Sequence, residues 1–120
     1  MAKKRIKYSL KTSEELIEKE TDSIVIDNTI KYKEDDVSVL IKISDNKVYL
    51  TRENTIYKIE LVFENNNDTI GIYYLKENNK SFKLDIHTNK LIIEDNNLDI
   101  EYVLNDDIRY FKLDIGVMLW

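Results

Sequence analysis

Ser81, Asp85 and His87 carry the groups of a nucleophilic triad: a hydroxyl, a carboxylate and an imidazole. They stand at even spacings in SFKLDIH, so on an extended chain all three point to one face. A working triad needs its groups hydrogen-bonded in series, with the acid orienting the base. Ser81 and Asp85 lie four residues apart on a strand, too far for that relay, and the pattern reads as a solvated face. His87 is the only histidine and there is no cysteine, which removes the usual zinc ligands. Glu64 to Asp68 (ENNND) is rich in oxygen but lacks the spaced ligands and central glycine of a calcium loop. The two glycines, Gly71 and Gly116, are isolated and build no phosphate cradle. No catalytic residue, metal or cofactor is expected, and the chain is read as a non-enzyme.

Polar residues inside otherwise apolar rows are more informative. Arg52 continues the alternating row of Val48 and Leu50, while Tyr8, Tyr57 and Tyr102 share rows with aliphatic residues. Each phenol must place its hydroxyl against a partner or in water, and a buried guanidinium needs an acceptor. Two readings stay open. In one the rows are core, with the phenols reaching the ends of the fold and Arg52 capping one of them. In the other they line a cavity, where Arg52 meets the anionic head of a small apolar or amphiphilic ligand and Tyr57 or Tyr102 adds a donor.

The elements that carry these residues read as strands. From Lys47 to Thr88 the runs TIYKIELVFE, TIGIYYLK and SFKLDIHT are separated by NNND and ENNK. Tyr57, Ile59, Leu61 and Phe63 fall on one face, opposite Lys58, Glu60 and Val62. Phe82, Leu84 and Ile86 repeat the alternation that marks a half-buried strand. Ile6, Tyr8 and Leu10 form an earlier row, Val37 to Ile43 a clean one, and Leu98, Ile100, Tyr102 and Leu104 a later one. Phe111, Leu113, Ile115, Val117 and Leu119 form the last. Ile24, Ile26, Ile30 and Tyr32 read as one register interrupted at Asp27-Asn28 by a bulge or a tight bend within the strand. Leu91 and Ile93 read as a separate short strand. Thr12 to Glu20 is ambiguous: Thr12 and Glu15 have capping-box spacing, but no apolar stripe follows, and a short edge strand is preferred to a helical turn.

Nine or ten short strands at this spacing indicate an all-β fold, and connections of hairpin length make it an up-and-down antiparallel sheet. Closure removes exposed edges, so the expectation is one antiparallel β-barrel of eight to ten strands over residues 1–120. Pairing of Ile6–Leu10 with Arg109–Val117 would close it. Proline is absent and glycine scarce, so the turns must come from Asn and Asp, which tolerate positive φ better than other side chains. A formal charge of −5 argues against nucleic acid as a partner. No apolar run reaches the ~18 residues of a membrane span, and the basic N-terminus has no apolar core behind it. A cytoplasmic protein with no membrane partner is expected; homodimerisation stays open.

The ordered series Leu50-Thr51-Arg52, Leu61-Val62-Phe63-Glu64, Tyr73-Tyr74, Thr88-x-x-Leu91 and Tyr102-Val103-Leu104 resembles the YwiB-like proteins. These are small bacterial proteins of unknown function. The resemblance spans about Ile6 to Ile115 and implies a calycin-like, lipocalin-like barrel with no catalytic residues to carry over. It also implies glycine in the turn after the Thr-Arg pair and before the strand of Phe82. Asn54 and Asn79-Lys80 stand there, and Asn is expected to supply the same left-handed geometry. Small-ligand binding is the leading expectation. The alternative is a structural or interaction module whose barrel is filled by its own side chains.

Overall fold

The computed structural model describes residues 2–118, with side chains to Gly116; the side chain of Val117 and all of Leu119, assigned above to the last inward row, lie outside the described residues. Ten strands follow in order: β1 Ala2–Lys11, β2 Leu16–Ile26, β3 Thr29–Glu34, β4 Val37–Ser44, β5 Lys47–Glu53, β6 Tyr57–Glu64, β7 Asp68–Leu75, β8 Lys80–Ile93, β9 Asn97–Leu104 and β10 Asp107–Met118. Each pairs antiparallel with its sequence neighbour, and β1 pairs with β10, closing the sheet into a barrel. Among the described residues there is no helix, hence none able to cross a membrane.

Turn chemistry follows the composition. Among the described residues every positive φ belongs to Asn or Asp: Asp27, Asp35, Asp45, Asn46, Asn66, Asn79, Asn105 and Asp106. Asp45-Asn46 and Asn105-Asp106 hold positive φ at both central positions of two-residue hairpins. That twist matches the strands they join. Asn79 takes the left-handed geometry expected of it, but Asn54 does not. Its side chain makes the turn instead, Oδ1 accepting from the amides of Ile56 and Tyr57 at 2.8 and 3.0 Å. Thr12 uses its capping spacing the same way. Its Oγ1 accepts from the Glu14 and Glu15 amides, while its own amide donates to the Glu15 carbonyl at 2.9 Å. The result is a hairpin turn, and β2 starts directly after it at Leu16.

Three expectations on register are corrected. Asp27-Asn28 is a hairpin turn between two strands, not a bulge or bend within one, with Ile26 opposite Thr29. Ile24 and Ile26 therefore face outward, while Ser23 and Val25 turn inward beside Tyr32 and Ile30. Leu91 and Ile93 belong to β8, whose partner β9 shifts register between Thr88 and Lys90. That bulge flips the parity of the inward row from Ile86 and Thr88 to Leu91 and Ile93. Phe82 keeps inward parity but lies at the end of its row and is 50% exposed.

One half of the barrel is solid. Ile6, Ile41, Val48, Leu98, Ile100 and Leu113 are all but sealed from solvent. The β6–β7 tip lashes this end to β8 at the bulge. The Asn66 amide donates to the Thr88 carbonyl at 2.8 Å, the Thr88 amide to the Asn67 carbonyl at 3.1 Å, and the Leu91 amide to Asn65 Oδ1 at 3.0 Å. β6 runs close over Gly71, where a Cβ would meet the Glu60 carbonyl oxygen at 2.7 Å.

Candidate functional site

The other half of the barrel is hollow. A cavity of about 390 Å³ opens at the end that carries the β1–β2, β3–β4, β5–β6, β7–β8 and β9–β10 turns. Its floor is Phe63 against Tyr102, ring centroids 4.7 Å apart, above the packed half. Tyr8 and Tyr32 form one wall at 5.0 Å, and Tyr73 faces from β7. Aliphatic side chains such as Leu50, Ile59 and Leu84 fill the remaining wall.

Arg52 and Arg109 stand in the lining near the mouth. Arg52 is the third inward position of β5, and its Nη1 donates to Glu34 Oε2 at 2.8 Å. Burial works against its charge, but the hydrogen bond and negative charge of Glu34 outweigh that and raise its pKa. Among the described residues no other acceptor takes a side-chain N–H of Arg52. A guanidinium has five such donors. Arg109 spends Nε on Asp107 at 3.1 Å. Asp107 also accepts from Ser13 Oγ at 2.9 Å, and these two contacts, that of Ser13 first, hold its carboxyl below the ordinary range. Glu34 draws Lys19 Nζ to 3.8 Å from the neighbouring strand.

The phenols are neutral donors. Burial, then the Glu34 carboxylate, pushes Tyr8 up to about 12. Burial raises Tyr32 further, and it raises Tyr102 despite the opposing charge of Arg109.

Of the residues singled out from sequence, Arg52 and Tyr102 line the same cavity, one near the mouth and one at the floor. Tyr57 does not line it. It stacks on Tyr73 at 5.8 Å and begins a rim strip completed by Phe82, 6.3 Å from Tyr73. Glu34 and Arg109 were missed, although the signal was present. Each is a charged residue continuing an apolar row, Glu34 after Ile30 and Tyr32, Arg109 before Phe111 and Leu113.

Ser81, Asp85 and His87 make no relay. His87 Nδ1 instead meets Asp68 Oδ1 on β7 at 2.7 Å, in a solvent-exposed pair. Among the described residues no three His, Cys, Asp or Glu side chains are grouped to hold a metal. Two larger depressions lie on the outer surface, one beside His87 and one beside Ile24 and Leu40.

A closed ten-stranded antiparallel barrel, solid in one half and hollow under two arginines in the other, is the class of protein defined here. Residues 2–113 match the family described as Domain of unknown function (DUF1934), and the chain belongs to it. Its fold is similar to that of the ywiB protein from Bacillus subtilis, seen in a crystal structure, with a TM-score of 0.66 and 17% identity over 96% of this chain and 91% of that one. No curated protein matches the chain.

Proposed function

We propose that the protein binds a small amphiphilic ligand in the open half of its barrel, with the ligand's anionic group at Arg52, and that it does not act as an enzyme. The observation that carries this reading is the apolar cavity under two half-buried guanidinium groups with N–H donors to spare. A hydrogen bond to a charged group contributes ~1.5–3 kcal/mol. Arg52→Ala should weaken binding by that amount. It also leaves Glu34 without its closest cation, so the ligand-free protein should melt earlier. The ligand-induced rise in melting temperature separates the two effects, because a ligand selective for the folded state stabilises it by mass action. Thermal melts of both proteins with a panel of amphiphilic acids, from fatty acids to compact aromatic carboxylates, make the test. A rise that is large in the parent and small in Arg52→Ala supports the reading, and no rise with any member sinks it.

The alternative is a structural or interaction module. It draws on the packed half of the barrel and on the Arg52–Glu34 pair as a cap. It predicts destabilisation by Arg52→Ala and no ligand response. Calycin-like barrels suggest the binding reading by analogy of fold, which does not itself assign function. The reading requires no nucleic acid, membrane or second copy, and it suits the cytoplasm.

A further inference from the structure

We propose that the ligand is a compact aromatic carboxylate, a flat ring system bearing one anionic group, and not a long-chain fatty acid. This rests on the reading of the barrel as a binding site and goes further in naming the ligand's shape. Three observations lead to it.

The first is size. The cavity of about 390 Å³ lies at the small end of the ~300–1,000 Å³ usual for ligand pockets. It is also shallow. From Ile59 at the mouth to Phe63 at the floor is ~13 Å of strand, less once the tilt of barrel strands is allowed for. An extended long-chain acid would drive its tail into the packed layer of Ile41, Val48 and Leu98, which leaves no continuation of the void.

The second is the lining. The chain has eight tyrosines and three phenylalanines. Tyr8, Tyr32, Phe63, Tyr73, Tyr102 and Phe111, six of those eleven, surround this one cavity. Aromatic faces on opposite walls favour a flat guest, because offset and edge-to-face ring pairs gain beyond their buried area. A flexible chain gains no such contact and loses rotamer freedom on entry.

The third is charge. Arg52 and Arg109 both present unspent N–H donors near the mouth, each already holding one carboxylate. A ligand carboxylate laid between them would accept from both forks. Tyr8, still protonated, stands beside Glu34 on the same rim. Glu34 competes with the ligand for Arg52.

The test compares three probes of near-equal size against the full chain by calorimetry: 2-naphthoate, undecanoate and the uncharged 2-naphthamide, with palmitate as the long-chain arm. We expect 2-naphthoate to bind at least about tenfold more tightly than undecanoate and the amide, and palmitate not at all. Arg109→Gln should weaken 2-naphthoate without touching the Arg52–Glu34 pair. Glu34→Gln should tighten it even where the fold is less stable, a direction that damaged structure would not give. Undecanoate or palmitate binding as well as 2-naphthoate overturns the aromatic assignment but leaves the binding site standing. An amide that binds equally well overturns the anionic part. If none of the four binds, the inference falls together with the reading beneath it.

Discussion

Tyr8, Tyr32 and Tyr102 keep their protons beyond the pH at which a solvated phenol loses its own, because burial disfavours the phenolate at all three. In the unfolded chain they ionise near pH ~10, while in the folded protein Tyr8 holds on to about 12. Above pH ~10 the native state therefore binds more protons than the unfolded one, and stability must fall as pH rises. The contribution of these phenols is complete below that point and is lost progressively from there up to and past about 12. Urea midpoints measured from neutral to strongly alkaline pH should decline in this window. Phenolate absorbance should show a late component from these three side chains. The absence of any late component would contradict the burial of the cluster. The same neutrality makes these residues donors and ring faces within the cavity at physiological pH.

At the scale of elements, the contact between β6 and β7 depends on what Gly71 lacks. The paired ladder runs from Tyr57–Leu75 to Glu60–Ile72 and stops at Gly71, where the chains press together. A methyl group there would sit 2.7 Å from the Glu60 carbonyl oxygen and 3.0 and 3.1 Å from side-chain carbons of Leu61 and Ile86. The nearest obstacle is backbone and cannot rotate away. Gly71→Ala should cost ~1–3 kcal/mol, the usual range for overpacking, read as a lower urea midpoint with an unchanged slope. Nothing in the sequence around Gly71 announces this crowding, since it depends on two other strands. The alternating rows were legible because period two is local, and so were the Asn and Asp turns of a glycine-poor chain. What could not be read locally were the places where parity resets. The bulge beyond Thr88 turns Leu91 inward and made one long strand look like two. The tight turn at Asp27-Asn28 reverses the chain, although the isoleucines on either side keep one spacing through it. Of the site, Arg52 and Tyr102 were legible as interruptions of apolar rows. Tyr57 shared that signature but lies at a strand end, where the row has already passed the cavity.

The whole molecule is joined by a single long-range seam. β1 pairs with β10 from Ile6–Ile115 to Lys11–Tyr110, and a bulge on β10 accommodates Arg5 at Gly116, where a Cβ would stand 2.9 Å from the Arg5 carbonyl oxygen. Removing residues 1–12 deletes β1 and strips the partner from both β2 and β10. The remaining sheet should unfold without cooperativity or aggregate, as calorimetry and light scattering would detect; a truncated chain with the parent's melting curve would mean that closure contributes nothing. The nine other pairings join neighbours in sequence, but this one waits for a partner about a hundred residues downstream. On a ribosome adding ~5–20 residues per second, β1 spends several seconds with only β2 beside it. Its other edge is then open to any passing strand. Arg5 and Lys7, outward-facing charges on that edge, are suited to discourage such encounters, since charged side chains blunt a bare strand edge. The same seam makes ring completion a late event of synthesis, so a translational pause anywhere between β1 and β10 would prolong the hazard by its own duration.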